Sequence, residues 1–480
     1  MPNTPDSPRT LPPARRRLPL GPLLVTCTGL LLLVVAAWRF WPSPPQTDQI
    51  SAKFIPTPAD APVEVGAPLK VDVNLDLRAS LKGTRLSPYV RLDLRDAAGK
   101  PAVYGDTPGE PLQMHVTGSV TGWTLDLSAP TVPGAYHVHL SVQGQTGPPL
   151  SFELPEPVLT VVPAVQYSGG LVYSRNGNLW RTDAEGRHVH RLTFYTGDGR
   201  ADFPAWAPGG TTIAFARTLP AAASAIPSTE IWGMDPSGAN MRRLAAHRAD
   251  EDLTMPAFAA DGSLLFTSDR TVDPSTGGTP TIQRLTDSRE SWSLERQTPD
   301  GTRTTLVPGA RMVDVSRDGR QLVYMGALDA PAESSRPPTH TLVLAAADGS
   351  GPRVLVPDDM FGDVYAPRIS PDGSQVVFAA VNPDGVPGGG LLERLGLAPL
   401  TAAANGVPWD IYLVATSGGT PQRLTHLNSD QPFPAWSGDG STLAMLDDRG
   451  LFLLDVARPD DTPRRIGPGS SHGQVAWYEP

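Results

Sequence analysis

A short phrase ending in an Asp-Gly or Gly-Gly turn returns along the second half of the chain, and no other feature restricts the fold as strongly. Its copies occupy residues 204–210, 256–262, 314–319, 367–373 and 434–440. Each copy is followed by an apolar run, such as Ile213-Ala-Phe-Ala or Leu264-Leu-Phe-Thr. Turn residues between two such runs predict a β-hairpin in every copy. The second half is therefore predicted to be an array of similar β units.

A second phrase follows the hairpins and supplies two further strands. It reads Ile231-Trp-Gly-Met before Arg243-Leu, and Ile411-Tyr-Leu-Val before Arg423-Leu-Thr. Four strands per repeat are typical of a β-propeller blade. The predicted inner strands carry Trp206, Phe258, Val315, Ile369, Trp436 and Trp477. Six inner strands predict a six-bladed β-propeller over residues 166–480.

The first blade begins at Leu171-Val-Tyr-Ser without an inner strand, while the last predicted inner strand, Gln474 to Tyr478, has no partner strand after it. We expect this last strand to complete the first blade. Such pairing closes the ring and removes open sheet edges. The many turn residues, 53 Pro and 47 Gly, agree with an all-β chain.

The phrase Pro-x-Trp-Ser-Pro-Asp-Gly, with its downstream Ile-Trp and Arg-Leu-Thr, resembles the propeller repeat of the periplasmic TolB proteins and of related bacterial surface proteins. The resemblance covers residues 166–480 and implies a TolB-like six-bladed propeller. It does not decide the function, because the same propeller hosts binding modules, sensors and enzyme lids. TolB proteins have a different N-terminal domain and no retained anchor, so the resemblance does not imply a Tol-Pal role.

Residues 18–41 are predicted to form a single transmembrane helix. The stretch from Leu18 to Trp38 is uncharged and long enough to cross a hydrocarbon core of about 30 Å. Three arginines at 15–17 precede it and aromatic residues follow it, which places residues 1–17 in the cytoplasm and the rest outside. The protein is thus expected in the cell membrane, with its domains extracytoplasmic.

Three other interpretations of this segment stay open. A cleaved signal peptide would use the small residues at 35–37. A lipoprotein signal would use Cys27, but Thr26 is unfavourable before the modified cysteine. A twin-arginine signal would rest on the arginines alone. Since Cys27 is the only cysteine, the exported part has no disulfide and no thiolate metal site.

Two segments separate the apolar stretch from the repeats. Residues 42–68 are rich in proline, which favours a stiff linker. Apolar and polar residues alternate from Leu69, and short strand-like runs recur until 163, which predicts a small β-sandwich over 69–163. The stretches 123–130 and 133–140 resemble the late strands of bacterial immunoglobulin-like domains.

His137 and His139 lie two residues apart on one predicted strand, a spacing that suits metal chelation. No third ligand is in sight, and the exposed faces of strands commonly carry such pairs. We therefore predict no metal and no cofactor. The net charge of −10 and the absence of a basic stripe after the membrane segment also predict no nucleic-acid partner.

Function is expected on one face of the propeller, where the connections after the second strands are long. They run over 218–229, 270–291, 328–339 and 381–409. The last contains Leu391, Leu392 and Leu395 on one side of a predicted short helix. This helix is interpreted either as a partner-binding loop or as a local lid over the channel.

Charged residues precede the predicted inner strands and form a candidate ring at the channel mouth. They are Asp202, Asp252, Arg311, Asp363, Asp430 and His472. A mostly acidic funnel would hold a cation or a basic peptide. In the alternative, each aspartate caps its own turn by accepting backbone N–H bonds.

The sequence contains none of the common catalytic motifs, neither a Gly-x-Ser-x-Gly elbow nor His-Glu-x-x-His nor a Walker loop. Peptidases with a similar propeller need a separate α/β-hydrolase domain, for which the sequence leaves no residues. We therefore predict a non-enzymatic, membrane-anchored scaffold or sensor of the cell envelope that binds a protein or peptide at the loop-rich face. The alternative is a propeller hydrolase or lactonase with a metal at the channel mouth.

The membrane anchor predicts a fractionation result. The protein is expected to stay in the membrane pellet after an alkaline carbonate wash, because the uncharged segment holds it in the bilayer. Immunoblotting of pellet and supernatant measures this, with a peripheral membrane protein as the control. A soluble form whose N-terminus begins near Trp38 would instead establish the cleaved signal peptide.

Overall fold

The computed structural model describes residues 49–55, 62–76, 89–105, 107–108, 112–115, 120–143, 150–219, 228–248, 251–270, 292–327, 340–381, 409–427, 429, 431–470 and 473–480. All regular structure in these residues is β-strand. In the same residues no helix has the length and apolar character needed to cross a bilayer. The predicted transmembrane segment 18–41 lies outside them.

The described residues of the N-terminal domain form ten strands. They are β1 (Gln49–Ile55), β2 (Val63–Glu64), β3 (Pro68–Asp76), β4 (Tyr89–Asp96), β5 (Val103–Tyr104), β6 (Thr107–Pro108), β7 (Leu112–His115), β8 (Val120–Ser128), β9 (Gly134–Gln143) and β10 (Leu150–Val162). One sheet has the order β1-β3-β8 and the other the order β2-β10-β9-β4-β7, with a small β5-β6 hairpin beside them.

The two sheets of this domain share one core, as the alternating pattern predicts. Val71 and Val73 of β3 are fully buried in the same cluster as Val90 of β4 and Val138 of β9. The sequence assigns residues 42–68 to a linker, but β1 lies within this range and belongs to the sheet. It does so because it pairs with β3 along its whole length and buries Phe54. The likeness to immunoglobulin-like domains stays a prediction.

The propeller region follows with four-stranded antiparallel sheets. Its first strands are β11 (Gly170–Arg175), β12 (Asn178–Thr182), β13 (His190–Arg191), β14 (Arg200–Trp206), β15 (Ile213–Leu219), β16 (Ser228–Met234), β17 (Arg242–Ala245), β18 (Glu251–Phe258), β19 (Leu264–Arg270), β20 (Trp292–Gln297) and β21 (Arg303–Pro308).

Its remaining strands are β22 (Ala310–Val315), β23 (Gln321–Ala327), β24 (His340–Ala346), β25 (Arg353–Val356), β26 (Val364–Ile369), β27 (Gln375–Val381), β28 (Trp409–Ala415), β29 (Gln422–Arg423), β30 (Phe433–Trp436), β31 (Thr442–Leu446), β32 (Leu451–Asp455), β33 (Arg464–Gly467) and β34 (Val475–Tyr478).

These strands form six blades. Blade 1 has the order β13-β12-β11-β34, and blades 2 to 6 are β14–β17, β18–β21, β22–β25, β26–β29 and β30–β33. The inner strands β34, β14, β18, β22, β26 and β30 contact one another in this cyclic order. All six sequence-predicted inner-strand residues lie at these strands. The structure is therefore a six-bladed propeller whose inner strands surround a central channel.

The blades pack through aromatic residues at one position of their second strands. Tyr173, Phe215, Phe266 and Phe378 are among the largest fully buried side chains, and each belongs to an apolar cluster between neighbouring strands. Opposite Phe215, Phe266 and Phe378 the inner strand carries one extra residue. All three blades place a proline there, Pro204, Pro256 and Pro367, which suits a bulge because proline donates no ladder hydrogen bond.

The repeated Arg-Leu-Thr phrase anchors the outer strand of a blade. In blade 5, Thr425 Oγ1 accepts the backbone N–H of Ile411 at 2.9 Å and donates to Asp410 Oδ1 at 2.9 Å. In blade 1, Thr193 makes the same two contacts, with Leu179 N and Asn178 Oδ1. The phrase is therefore structural, because it satisfies buried backbone and side-chain groups.

The closing strand is tied into blade 1 by a buried hydrogen-bond network. β34 pairs antiparallel with β11, so the ring closure expected from the sequence is confirmed. Gln474 Oε1 accepts from Ser174 Oγ and from the backbone N–H of Phe203, both at 3.0 Å. Gly210 of blade 2 lies under Tyr478, where an added Cβ would be 2.1 Å from the ring carbon Cε1. The last strand thus binds the rest of blade 1 and also contacts blade 2.

The N-terminal domain contacts blade 1 directly. The backbone N–H of Arg191 donates to Gly66 O at 2.8 Å. Glu64 lies 2.7 Å from His188 Nδ1 through one oxygen and accepts from Val165 N at 3.0 Å through the other. These bonds link β2 to the propeller and fix the orientation of the two domains.

Replacement of Gln474 with alanine tests the closing network. We expect the free energy of unfolding to fall by about 1–3 kcal/mol, because Ser174 Oγ and Phe203 N lose their acceptor in a buried place. Thermal and denaturant unfolding measure the change. Gln166→Ala, on an exposed glutamine, is the matched control and should change nothing.

A deletion of residues 473–480 should destabilise the protein more than Gln474→Ala, because it also removes β34 and exposes the edge of β11. A wild-type melting midpoint for either variant would show that the ring does not depend on this strand.

Candidate functional site

Four inner strands carry a non-glycine residue with a left-handed backbone at the same place. These residues are Phe203 (φ 54), Met255 (φ 54), Met312 (φ 53) and Ala366 (φ 50). Large residues rarely adopt this conformation, which costs roughly 1–3 kcal/mol each. Each lies at the bulge of its strand. The strain is thus repeated around the channel rather than scattered over the fold.

The bulges line a cavity in the channel. Its wall contains Phe203, Pro204, Met255, Pro256, Met312, Val313, Arg368 and Phe433. The space inside it for water-sized molecules is about 10 Å³, which is room for about one water molecule.

A polar chain links blades 4 and 5 at the end of the channel where the inner strands begin. Arg311 Nη2 donates to His340 Nε2 at 3.1 Å, and His340 Nδ1 donates to Asp363 Oδ1 at 2.8 Å. The Arg311 guanidinium lies 4.0 Å from the ring centre of Trp292. Burial lowers the pKa of Arg311. The sequence predicted Arg311 and Asp363 here but gave no sign of His340 and Trp292.

The aspartates at the inner-strand starts bind across blades. Asp252 Oδ1 accepts the backbone N–H of Thr229 in the preceding blade at 2.7 Å. Asp363 accepts from Val364 N at 2.9 Å and from His340 N of the preceding blade at 3.4 Å. In the capping alternative, each aspartate accepts hydrogen bonds only from its own turn. Asp252 and Asp363 instead accept backbone N–H groups from the third strand of the preceding blade.

Asp202 differs from these two aspartates, because its carboxylate lies 3.3 Å from Arg200 Nε. Burial raises the pKa of Asp202, and it also raises the pKa of Asp252.

Other predicted site residues lie outside the described residues. They are Asp430, His472, Leu391, Leu392 and Leu395. Among the residues that the structure describes, no three His, Cys, Asp or Glu side chains converge as a metal site.

The predicted histidine pair is not arranged for chelation. His139 is buried, and its two ring nitrogens lie 2.7 Å from Asp93 Oδ1 and 2.7 Å from Ser151 Oγ. Its hydrogen-bonding capacity is therefore used within the N-terminal domain, where it joins β9 to β4 and β10.

Deeper in the channel lie three polar residues that the sequence analysis missed. Tyr365 packs between Trp409 and Phe433, with ring centres 6.1 and 6.2 Å away. The Arg368 guanidinium lies 4.6 Å from the Phe433 ring centre, and Asp314 accepts the backbone N–H of Ile369 at 2.8 Å.

Burial shifts the pKa of all three residues toward the neutral form. It raises the pKa of Tyr365 to about 12, raises that of Asp314 and lowers that of Arg368. The sequence does contain a signal for Arg368. The residue directly after the proline of the phrase is arginine in blade 5 and alanine in the copies that begin at 204, 256 and 434.

A buried charge cluster in blade 3 was also missed. Arg303 contacts both Glu251 and Glu295, whose side chains are 2% and 1% exposed. Burial raises the pKa of Glu251, but hydrogen bonds from Arg303 and Ser268 outweigh it and hold that pKa below its usual range. The cluster faces blade 2, where Arg303 Nη1 lies 3.5 Å from Ala246 O. It is a contact between blades rather than part of the channel.

Replacement of Arg303 with methionine is expected to destabilise the protein by about 3–5 kcal/mol at neutral pH, because two carboxylates stay buried without their cation. The loss should shrink in acid: the pKa of Glu251 is lowered in the fold, so its stabilisation is lost as the pH falls through the folded-state value. Denaturant unfolding between neutral and acidic pH measures both effects.

The triple variant Arg303→Met, Glu251→Gln, Glu295→Gln should recover part of the stability lost in Arg303→Met. Arg458→Met, at an exposed ion pair with Asp455, is the control and should leave the free energy of unfolding unchanged. An unchanged stability of Arg303→Met would contradict the cluster's role.

No protein-family model and no curated protein matches this chain. Solved structures do resemble it. TolB from Acinetobacter baumannii is 14% identical over 72% of this chain and 80% of its own, with a TM-score of 0.44. A putative TolB from Agrobacterium tumefaciens is 13% identical over 82% and 100%, with a TM-score of 0.35. An oligogalacturonate lyase in complex with manganese is 13% identical over 61% and 70%, with a TM-score of 0.38. The structural neighbours thus include TolB-like propeller proteins. Because the identities and TM-scores are low, the assignment of the propeller fold is based on the strand pairing within this chain.

Proposed function

We propose that this protein is a membrane-anchored, extracytoplasmic propeller that binds a protein or peptide partner at its loop-rich face. The observation that carries the proposal is the position of four long connections. They join β15 to β16, β19 to β20, β23 to β24 and β27 to β28, which are the second and third strands of blades 2 to 5. Loops on a rigid scaffold are a common place for binding residues.

All four connections leave the same face of the ring. The end of each second strand pairs with the start of its own inner strand, as Ala380 does with Val364 and Asp269 with Asp252. Each of these connections therefore begins and ends at the mouth that holds Arg311 and Asp363. Blades 1 and 6 have tight turns at the same place, after Arg175 and Leu446. The enlarged part of the face thus spans four consecutive blades.

The base of this face has the residue types of a binding surface. Trp292, His340 and Trp409 begin the third strands of blades 3, 4 and 5, directly after the long connections. Arg311 stacks on Trp292. Aromatic residues and arginine are enriched at protein interfaces and at their energetic centres. These side chains support a partner-binding role for the face.

The membrane anchor and the extracytoplasmic location belong to the same proposal. They rest on the uncharged segment from Leu18 to Trp38 and on the arginines before it. A metal-dependent hydrolase stays an alternative from the sequence, but no observation on the described residues favours it.

A loop-shortened variant tests the binding face in the full-length, membrane-embedded protein. Val381 pairs directly with Trp409, so an Asn-Gly turn can replace residues 382–408 without disturbing β27 or β28. We expect crosslinked pull-down from membranes to lose at least about 80% of the partner, because the face loses its largest connection. Quantitative mass spectrometry of the captured proteins measures the loss.

Arg320→Ala, at the Asp-Gly turn on the opposite face, is the control and should capture as much partner as the wild type. Equal capture by all three proteins would place binding elsewhere on the molecule and overturn the proposal.

A further inference from the structure

One edge of the N-terminal domain lacks the features that usually protect the edge of a sheet. β8 pairs with β3 at nine consecutive positions, and no described strand pairs with its other side. Its register contains no bulge, and its sequence contains neither lysine nor proline. A long, regular edge of this kind is a template for pairing with a further strand.

The other edges of this domain are short or interrupted. β2 has two residues and β7 has four. β1 carries Lys53, and β10, which β2 covers only at its end, contains Pro155, Pro157 and a bulge. Lysine, proline and bulges all discourage the addition of a strand. In the described part of the domain, β8 is thus the long edge without such protection.

The apolar side chains of β8 are incompletely covered. Trp123, Leu125 and Leu127 face the shared core of the two sheets, yet each is only partly buried. Val73 and Val71, which lie opposite the first two on β3, are fully buried. The difference arises because β3 has a neighbouring strand on each side and β8 has one. A strand added beside β8 would therefore remove apolar surface from water.

The opposite sheet extends one strand further than the sheet that ends at β8. β1 contacts β10 across the core. From that contact the first sheet continues through β3 and β8, and the second continues through β9, β4 and β7. In aligned packing β3 lies over β9 and β8 over β4, so no described strand lies over β7. The open position beside β8 is therefore one strand wide, about 5 Å.

This width distinguishes a peptide from a second copy of the chain. A second copy that paired its own β8 with this one would bring its β4 beneath that strand, where β7 already lies. An extended peptide brings no second sheet and fits beside β8. On the outward face the side chain of Asp126 is 72% exposed, which favours a basic residue in the peptide at this place.

We propose that β8 binds an extended peptide segment of a partner protein by strand addition, with alternate apolar residues of the segment covering Trp123, Leu125 and Leu127. In this mode main-chain hydrogen bonds supply affinity, and alternate side chains supply specificity. The site lies on the N-terminal domain and goes beyond the function proposed for the loop-rich face of the propeller. Either site can fail without the other.

A peptide copied from β3 is the probe, because β3 shows which residues suit β8. It is fluorescein-labelled Leu-Lys-Val-Asp-Val-Asn-Leu-amide, the sequence of residues 69–75. The control peptide, Leu-Val-Lys-Asp-Leu-Asn-Val-amide, has the same composition without the alternation. Fluorescence anisotropy with the purified full chain in detergent measures both affinities. We expect the probe to bind at least ~10-fold more tightly, because only its apolar side chains all face one way.

Two lysine variants link the probe to β8. Leu125→Lys places an inward-pointing charge in the middle of the binding edge and should weaken probe binding at least ~10-fold. Ile50→Lys is the matched control, because Ile50 is a partly buried residue of the same core on β1, at the opposite edge of the sheet. It should leave the affinity unchanged. Melting curves establish that both variants fold.

Hydrogen exchange of the unchanged protein locates the probe even if Leu125→Lys does not fold. A saturating concentration of probe should slow the exchange of backbone amides in residues 120–128 at least ~5-fold and leave those of β1 unchanged. Equal affinity for probe and control peptide overturns the proposal, and so does an absence of slowing in β8 or full affinity in folded Leu125→Lys.

The same exchange measurement without the probe tests whether the edge is open. Every second amide of β8 points away from β3 and should exchange rapidly. Slow exchange of these amides in the protein alone would overturn the proposal, because the edge would already be occupied. Sedimentation velocity would then separate a second copy of the chain from a segment of the same chain.

Discussion

The propeller depends on one long-range pairing, that of β34 with β11. The hydrogen bond between Ser174 and Gln474 joins positions 300 residues apart, and it closes a ring in which each inner strand contacts the next. Each blade alone is a small sheet with two open edges and two apolar faces. Closure lets every blade bury both faces against neighbours, and it ties the first and last strands of the ring together by hydrogen bonds within blade 1. The channel exists only because this ring is complete.

The channel takes its character from the bulges of the inner strands. A bulge turns the backbone at Phe203, Met255 and Met312 and brings these residues to the cavity wall. The conformation is costly for large side chains, and the rigid packing of the blades on the opposite sides of the strands maintains it. The same geometry places Tyr365 and Arg368 beside the bulge at Ala366 of blade 5. The bulges, which interrupt the regular pairing of the inner strands, thus position the residues of the candidate site.

The sequence predicted part of the candidate site. Arg311, Asp252 and Asp363 were identified because they share a position in the repeat, and they do lie at the starts of inner strands. The partners of the two aspartates were not predictable, since Thr229 and His340 belong to the preceding blades and are adjacent to them only through the packing of one blade on the next. The contact of Arg303 with Glu251 was hidden for a different reason, since the two residues lie on the outer and inner strands of blade 3, which a long connection separates in the sequence. Position within a repeat can be read along the chain, whereas a partner across blades cannot.

By itself, the sequence determined the repeat, the number of blades and the closure of the ring, because turn residues and alternating apolar runs act locally and recur at regular intervals. It also placed the long connections on one face, since antiparallel strands fix which ends of a blade lie together. Only the tertiary structure decided which charges in the channel are compensated. Burial and the distance to a counter-charge set the state of an ionisable group, and both depend on residues that the ring brings together from distant parts of the chain.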